Sequence, residues 1–462
     1  MQELNLGYHY PIIYWNTACL IINAGANEEL DDNKSTQYGK IAKAIANFKQ
    51  RSIIVDRPLI NEAKFSFVPD EKNNRIIFSF KGLCGIGDDI ARAIVEHQPY
   101  SSFEDFCKRM VDTKIIGTAK MIILIKAGCF NELDSPDRME TMKKFLSRNV
   151  FTPIDKLTMQ QFNSALEYDI FPKEMETMIR IKNFKAYALH ESFFLKNIID
   201  EGKKVPKKGY HDRYFALDER GTEFLMEHFN TCIVGTKEDG VIISEKLFNK
   251  EWDALIQPLK DYMALPEALQ LYNQKKLDST MESYASGSLE QWDMESLSYY
   301  PDRHELWNLN EPKYGVVDYN SLPEIPEVYE HTTRRVRGEI KHFPKYKIFR
   351  LAGTVLDSDN NKHLVSLLTN HGVVTCKYNK GQYSYYNKRI SEQTPAGKKK
   401  VLEESWFKRG SKIIVCGYRR EDQFVIMKYP DTVYTHTTNR IEEIYNDGTI
   451  LAQTDRKKVG EG

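Results

Sequence analysis

The sequence predicts a multidomain α+β protein in which helical segments surround short strands and a small β-barrel of OB type lies near the C-terminus. Three observations support this fold class. Helical periodicity dominates the first fifty residues and residues 150–230. Glycines punctuate helical patterns over residues 81–148, and five short strands follow residue 348. With 462 residues, 41% of them apolar, the chain is long enough for two to four domains with cores of their own.

The first 80 residues combine two helices with short strands. The helices are expected over residues 11–24 and 38–49, because apolar side chains recur there at helical spacing. Strands are expected at residues 52–55, 64–68 and 75–80. Residues 149–330 are predicted to be mostly helical, with a basic turn at 203–209 and a small hairpin before residue 245. The second part of residues 149–330 is an acidic connector, since residues 251–330 carry sixteen Asp and Glu against five Lys and Arg.

Composition excludes several classes of protein. The seven cysteines contain no CxxC pair, which argues against a zinc site or a disulfide framework and favours a reducing compartment. No apolar run reaches the ~18 residues of a membrane span, and no secretory signal is apparent at the start. We therefore expect a cytoplasmic protein with no membrane partner. The 65 basic and 65 acidic residues cancel, so global charge does not identify a partner.

A glycine hairpin at residues 81–95 is the first candidate binding element. Gly85, Ile86 and Gly87 precede a helical pattern, so the isoleucine can anchor the turn while the glycines allow close backbone approach. The free amides at the start of such a helix suit a phosphate of nucleic acid. Duplex DNA contacts are therefore predicted at Lys81, Gly85, Ile86, Gly87 and Arg92. The alternative is an ordinary tight turn, and the acidic Asp88 and Asp89 favour it unless they cap the helix.

The second candidate is the barrel expected over residues 331–430. Residues 331–420 carry twenty Lys and Arg against six Asp and Glu, and tyrosines are interleaved with the cations. Barrels of this type bind single strands by stacking bases on aromatic rings in a positive groove. The predicted single-strand contacts are Phe349, Arg350, Lys377, Tyr378, Lys380, Tyr383, Tyr385, Tyr386, Lys388, Arg389, Arg419 and Arg420. The alternative is a solvated basic loop with tyrosines in the barrel wall. Residues 431–462 are expected to form a tail that frays after Gln453.

The order of these features resembles one known family. The segments YHYP, the Pro58–Asn61 element, the glycine hairpin, PYSSFEDFCKR, LIKAGCFNEL, LSYYPDRHEL and the barrel occur in this order. This succession resembles the alpha subunit of bacterial DNA polymerase III, a C-family replicative polymerase. The resemblance covers residues 5–148 well, 295–306 faintly and 346–426 by fold pattern, and it leaves residues 150–290 unmatched.

The resemblance implies a role for each segment. Residues 1–80 would be the end of the fingers, residues 81–148 the duplex-binding helix-hairpin-helix domain, and the barrel a holder of the single-stranded template. In the family, a palm with three metal-binding aspartates lies upstream of the matched region. An Asp-x-Asp pattern occurs at Asp357 and Asp359, but it sits in a predicted hairpin turn. This chain is therefore predicted to be inactive alone and to hold no cofactor, with Mg²⁺ bound by a palm on another chain, as in a split or phage-encoded polymerase.

Partners follow from the same resemblance: duplex and single-stranded DNA, the palm-containing chain and a sliding clamp. The clamp-binding peptide is predicted at Gln257, Leu259 and Tyr262, with a weaker candidate at residues 291–294. Near His304, Arg303 and Glu305 replace a glycine and a proline of the family motif. An alternative function is a stand-alone single-strand-binding or clamp-associated replication protein. A hydrolase or nuclease is disfavoured, because the histidines are scattered rather than at metal-ligand spacing.

Overall fold

The computed structural model describes residues 11–26, 35–49, 52–195, 213–237, 240–393, 399–428 and 437–457. The chain divides into two units. The first comprises Met1–Lys144 and Ala285–Gly462, and the second comprises Phe145–Tyr284. The predicted middle region, 149–330, is therefore divided, because residues 285–330 belong to the first unit. The predicted fold class is confirmed: helices, a helix-hairpin-helix segment and a closed five-stranded barrel are all present.

The first segment contains the two predicted helices. Helix α1 (Ile12–Ala24) starts after Pro11 and ends at Gly25, whose backbone is left-handed. Helix α2 (Tyr38–Lys49) buries the apolar face that the periodicity predicted. The short strands β1 (Ile54–Asp56), β2 (Val68–Asp70) and β3 (Arg75–Ile77) form a sheet with β3 in the middle. The predicted strand at residues 64–68 is wrong except at Val68, because Phe65 and Phe67 bury in the core from an irregular segment.

Helices follow the sheet, as predicted for residues 81–148. They are α3 (Asp88–Glu96), α4 (Phe103–Phe106), a π-helical turn at Cys107–Val111, α5 (Thr118–Lys126) and α6 (Arg138–Asn149). The aromatic rings of Phe103, Phe106 and Phe130 form the centre of their core. Phe130 meets each of the other two edge to face, with ring centroids 5.1 and 5.0 Å apart. All three rings are buried.

The second unit is mostly helical around a small sheet. Its helices are α7 (Phe162–Glu167), α8 (Glu176–Ala188), α9 (Glu219–His228), α10 (Glu245–Leu255), α11 (Gln257–Met263) and α12 (Pro266–Ala285). Strands β4 (Tyr214–Ala216), β5 (Ile233–Lys237) and β6 (Gly240–Ser244) form an antiparallel sheet in the order β4-β6-β5, which contains the predicted hairpin. The basic turn at residues 203–209 lies outside the described residues.

The chain returns to the first unit with α13 (Leu289–Leu297) and α14 (Glu311–Tyr314). A two-stranded antiparallel ribbon follows, made of β7 (Val328–Val336) and β8 (Glu339–Tyr346). The sequence pattern did not predict this pairing. We call it the β7–β8 ribbon.

The barrel has the topology expected of the OB type. Its strands are β9 (Phe349–Asp359), β10 (Leu364–Thr369), β11 (Gly372–Lys377), β14 (Lys412–Arg420) and β15 (Gln423–Ile426). Strand β9 pairs with β10 and β14, and β15 closes the barrel by pairing with both β14 and β11. Between β11 and β14 lie helix α15 (Lys380–Asn387) and the hairpin β12 (Ile390–Gln393) and β13 (Lys399–Glu403).

The prediction of a tail over residues 431–462 is wrong for the part that the structure describes. Strands β16 (Thr438–Ile444) and β17 (Ile450–Gln453) extend the sheet beyond β14. Beyond Gln453, Arg456 is 5% exposed and its Nε lies 2.7 Å from Glu403 Oε2. A buried arginine needs such an acidic partner, and this pairing anchors the chain to the barrel.

Candidate nucleic-acid interface

The glycine hairpin predicted from the sequence is present. Ile86 is buried, whereas Gly85 and Gly87 are exposed on either side of it. Gly85 has a φ of +85°, a conformation that only glycine adopts without strain. Gly87 is the N-cap of α3, with φ −83° and ψ 165°. Any residue can adopt this extended conformation, so the backbone does not require a glycine here. A Cβ at Gly87 would meet no heavy atom within 4 Å, and the surface there is open.

A second hairpin of the same kind, which was not predicted from the sequence, precedes α5. Gly117 is its N-cap, with φ −84° and ψ 165°, and a Cβ there would also meet nothing within 4 Å. The preceding Ile116 is buried, as Ile86 is in the first hairpin. The signal that could have revealed it is the repeated Ile-Gly pair before a nine-residue helix. This pair of hairpins is a short internal repeat, which the sequence analysis overlooked.

Charges around the two hairpins differ. Asp88 forms an ion pair with Lys81, so part of its negative charge is neutralised and Lys81 is engaged. The first turn of α5 contains no acidic residue. Lys120 reaches from α5 to the first hairpin, where its Nζ donates to the Gly85 carbonyl at 2.5 Å. Electrostatically, the second hairpin is therefore the better site for an anion. The predicted contact Arg92 is exposed, with its guanidinium 4.1 Å from the centroid of the Phe65 ring.

A buried charge cluster holds the helices behind the hairpins. Arg57 Nη1 and Nη2 lie 2.6 and 2.9 Å from the two carboxylate oxygens of Asp293, and Arg138 Nη1 lies 2.5 Å from Asp293 Oδ1. Arg57 also pairs with Asp302 at 2.8 Å. Burial alone would lower the pKa of Arg57, but hydrogen bonds and charges from Asp293 and Asp302 raise this pKa above its ordinary value. Sequence reasoning missed this cluster, because its members lie far apart along the chain.

His304 joins the LSYYPDRHEL segment to the barrel. Its Nδ1 accepts from the Leu306 amide at 3.0 Å, and its Nε2 lies 3.0 Å from the Leu368 carbonyl of β10. These partners fix a neutral ring with the proton on Nε2. Burial lowers the pKa of His304 to about 4. The neighbouring departure from the family motif, Glu305, forms a largely buried ion pair with Lys412 of β14 at 2.5 Å.

The tyrosines among the predicted single-strand contacts differ in how far they are exposed. Tyr378, Tyr383 and Tyr386 are 1%, 3% and 4% exposed and belong to the barrel core, so the prediction that they stack on bases is wrong. Burial raises the pKa of each of the three hydroxyls. The alternative interpretation, tyrosines in the barrel wall, holds for them. Tyr385 is different, since half of its side chain (50%) is exposed.

The cations also fall into groups. Lys380, Lys388, Arg389 and Arg420 are exposed, and Arg389 forms a surface pair with Glu404 at 3.0 Å. Lys377 is half-buried and donates to the Lys362 carbonyl. Three predicted residues have structural partners instead. Phe349 packs against the barrel core, Arg350 donates to the Tyr314 carbonyl at 3.0 Å, and Arg419 donates to the Leu322 carbonyl at 3.0 Å and pairs with Glu324.

Helix α15, which was not predicted from the sequence, carries several of the predicted contacts. It starts after Asn379, whose side chain accepts from the Gln382 amide at 2.9 Å. The helix turns Tyr383 and Tyr386 into the core and leaves Lys380 and Tyr385 exposed. One face of α15 therefore belongs to the barrel core, and the other offers a ring and a cation to solvent.

Both candidate clamp-binding peptides are contradicted by the structure. Leu259 of α11 is fully buried, and the Tyr262 hydroxyl donates to the Ile170 carbonyl at 2.7 Å. Gln257 Nε2 donates to Asp261 within the same helix. In the weaker candidate, Trp292 and Met294 are buried as well. A clamp needs the apolar side chains of such a peptide to be free, and here they form the cores of the two units.

The acidic pair Asp357 and Asp359 makes structural contacts. Asp357 lies on β9 where α2 packs closely, since a Cβ at Gly39 would come within 2.4 Å of the Asp357 Cβ. Asp359 Oδ1 accepts from the amides of Asn361 and Lys362 in the hairpin turn.

Among the described residues, no group of three or more His, Cys, Asp or Glu side chains is placed to hold a metal ion. In the same part of the chain, no helix is both long and apolar enough to cross a membrane.

Comparison with known proteins agrees with this geometry. Residues 52–140, which contain both hairpins, match the family model for the helix-hairpin-helix motif. This segment is a helix-hairpin-helix region. The matched residues also include the small sheet β1–β3, and the predicted domain bounds 81–148 stay a prediction.

Similarity to two proteins extends over almost the whole chain. The chain is 40% identical over 467 aligned residues to the "Probable DNA polymerase YorL" of Bacillus subtilis (strain 168), which covers 99% of this chain and 34% of that protein. The DNA-directed DNA polymerase of Bacillus phage SPbeta gives the same values. The chain thus spans about a third of the length of both relatives. The predicted relation to DNA polymerases is confirmed at this level, and the narrower resemblance to the DNA polymerase III alpha subunit stays a prediction.

Proposed function

We propose that this chain is the DNA-holding part of a DNA-directed DNA polymerase that acts in replication. The observation that carries the proposal is the pair of open glycine N-caps at Gly87 and Gly117 within a helix-hairpin-helix region. It is supported by 40% identity to the two DNA polymerases across the chain.

In this proposal the two hairpins hold duplex DNA by its backbone. Each offers amide groups at the start of a nine-residue helix, next to a glycine without a side chain to block a phosphate. Backbone contacts of this kind position a protein on DNA without reading its sequence. That property suits a polymerase, which has to hold every sequence that it copies.

The barrel would hold the single-stranded template. The contacts that fit this role are the exposed members of the predicted set, namely Lys380, Tyr385, Lys388, Arg389 and Arg420. They combine one exposed ring with four cations, the mixture that binds single strands by stacking and by charge. The buried tyrosines contribute the fold of the barrel rather than contacts.

The polymerase active site would come from outside this chain, on a palm-containing partner that binds Mg²⁺. This part of the proposal rests on the family resemblance. The bacterial cytoplasm is the proposed location, and the seven free cysteines suit a reducing compartment. A sliding clamp is a further proposed partner, through a segment other than the two peptides that are buried.

The test uses the variants Gly87→Val and Gly117→Val. A Cβ at either position meets no protein atom within 4 Å, so the fold should tolerate valine, whose side chain would obstruct a phosphate. We expect duplex affinity to fall about tenfold for each, equivalent to about 1.4 kcal/mol, with single-strand affinity unchanged. Gly235→Val in the second unit is the control, because a Cβ there makes only ordinary contacts, with Ile242 at 3.8 Å.

The outcomes separate the proposed roles. Unchanged duplex binding in both variants would contradict the role of the hairpins. Primer extension tests the partner: the chain alone should extend nothing, and addition of a palm-containing polymerase chain should restore extension. Robust extension by the isolated chain would overturn the proposal that the active site lies on another chain. DNA binding with no such complex would favour the alternative, a stand-alone replication accessory protein.

A further inference from the structure

The β7–β8 ribbon takes no part in the DNA contacts proposed for the hairpins and the barrel. Between Val328 and Lys345, the described side chains are exposed except that of Thr332, which is half-buried. No hydrophobic core cluster of the described residues includes any of them. A lone two-stranded hairpin in water is only marginally stable. An extended, uncovered ribbon on an otherwise well-packed unit therefore points to an external partner.

The charges of the ribbon define the kind of partner. Residues 328–347 carry six Lys and Arg against two Asp and Glu. Arg334 lies directly opposite Lys341 in the register, on the same face of the ribbon. Like charges in that position destabilise a strand pair. An anionic ligand bound to this face would relieve the repulsion and stabilise the strand pair.

Further arginines extend the positive surface to the other face and the tip. Arg335 lies opposite Ile340 on the second face. Arg337 and Gly338 form the turn, both with positive φ, which is the two-residue turn that matches the twist of a ribbon. Among the described residues, Arg334, Arg335 and Arg337 form no ion pair. The two acids face Lys345 at 2.6 Å and Lys341 at 3.9 Å.

The base of the ribbon is fixed to the barrel at a specific place. The Tyr346 ring lies against that of Tyr418 on β14, with centroids 4.5 Å apart. The Lys347 amide donates to the Glu327 carbonyl at 2.9 Å, which closes the base. Tyr418 is two residues from Arg420 and from the turn between β14 and β15. In barrels of this type, that turn borders the nucleic-acid face. The ribbon thus continues the basic surface of the barrel outward.

We propose that the β7–β8 ribbon is a DNA-binding arm that lies in the major groove of duplex DNA and contacts the phosphates on both sides. Its eight or nine residues per strand extend for about 27–30 Å at ~3.4 Å per residue. The major groove, about 12 Å wide, admits a two-stranded ribbon. Cations on both faces and at the tip match the two phosphate walls of a groove better than they match one flat anionic surface. This inference rests on the proposed function, because it adds a duplex contact to a DNA-holding chain.

The test is a salt titration of DNA affinity with the full chain. The ribbon variant carries Arg334→Gln, Arg335→Gln, Arg337→Gln and Lys341→Gln. Its matched control carries Lys156→Gln, Lys173→Gln, Lys250→Gln and Lys275→Gln, four exposed cations of the second unit. Both sets remove the same charge. Fluorescence anisotropy is measured on a blunt duplex and on a homopolymeric single strand, and circular dichroism checks that both variants fold.

The ribbon variant should lose at least about tenfold in duplex affinity, and the slope of log affinity against log salt should flatten by about 2 to 4. The control should stay within about twofold of the natural chain. Equal behaviour of the two variants on duplex would overturn the arm. If the natural chain binds no DNA at all, the proposed function itself fails, and this outcome is distinct from the first.

A second measurement does not depend on affinity. A photo-crosslinking amino acid at Phe343, an exposed ring in the middle of β8, should crosslink to duplex DNA on irradiation. The same group at the exposed Leu271 of the second unit is the control. Crosslinking from Leu271 alone, or to the single strand alone, would contradict a groove-bound arm. If crosslinks form only to a protein partner, the ribbon is a protein-docking element and the proposal is wrong.

Discussion

Arg57 and Asp293 form a paired hydrogen bond, with Nη1–Oδ1 and Nη2–Oδ2 distances of 2.6 and 2.9 Å, although 236 residues separate them in the sequence. Arg138 shares the same carboxylate at 2.5 Å. Two buried arginines behind the hairpins thus share one buried carboxylate, and Arg57 has a second acidic partner in Asp302. This geometry also ties the segment after residue 285 to the helix-hairpin-helix region.

Asp293→Ala should strongly destabilise the first unit. It leaves Arg138 buried without its acidic partner and Arg57 with Asp302 alone, and breaking a buried pair costs about 3–5 kcal/mol. Urea denaturation measures the free energy of unfolding. Glu295→Ala is the matched control on the same helix, because Glu295 pairs with Lys126 from a half-exposed position. That change should cost less than about 1 kcal/mol. Similar costs for the two variants would contradict the role given to Asp293.

Stability should depend on pH through His304. Its folded pKa, about 4, lies below the ordinary value of 6.5, so the fold holds the neutral ring. Between these two values the unfolded chain binds a proton that the folded chain does not bind, and stability is lost as pH falls. From about pH 7 to about pH 5 the loss should be about 2 kcal/mol. His304→Gln should remove this loss of stability between pH 7 and pH 5, which thermal unfolding at several pH values measures. If the variant keeps the same pH dependence, His304 is not its source.

The two glycines of the first hairpin should differ in how strongly valine destabilises the fold. Gly85→Val forces a β-branched residue to φ +85° and brings its Cβ within 3.1 Å of Ile123, so we expect a loss of about 2 kcal/mol or more. Gly87→Val replaces an N-cap glycine in open space, at a cost of about 1 kcal/mol. Thermal unfolding of both variants measures the difference. If Gly87→Val were the more disruptive change, the loss of duplex binding expected for it would reflect misfolding.

Tyr385→Ala should weaken single-strand binding without unfolding the barrel. Its ring is half exposed, and loss of one stacked base costs about 1–3 kcal/mol. Tyr386→Ala, one residue further on, removes a buried ring and should cost about 3–5 kcal/mol of stability. Fluorescence titration with a single strand and thermal unfolding separate the two effects. If Tyr385→Ala binds the single strand as tightly as the natural chain does, Tyr385 is not part of the interface.

Sequence periodicity predicted much of the fold. Helix α2 has the bounds expected from its apolar spacing, because one face of it is buried. Helix α15 was missed, since KGQYSYYN has no apolar stripe typical of a helix and depends on the Asn379 cap and on packing. The site was harder to predict. Interleaved tyrosines and lysines do not reveal which side of the barrel wall each ring occupies, and Tyr378 faces the core.

The position of the second unit within the sequence has a consequence for biosynthesis. Arg57 and Arg138 emerge from the ribosome before Asp293, and 155 residues separate Arg138 from that acid. Until the acid is made, the first 144 residues lack a partner that their folded state requires. If residues 145–284 fold first, they shorten the flexible loop between Arg138 and Asp293. Each halving of the loop length lowers the entropic cost of closing it by about 0.6 kcal/mol. The helix-hairpin-helix region should therefore become protease-resistant only late in translation.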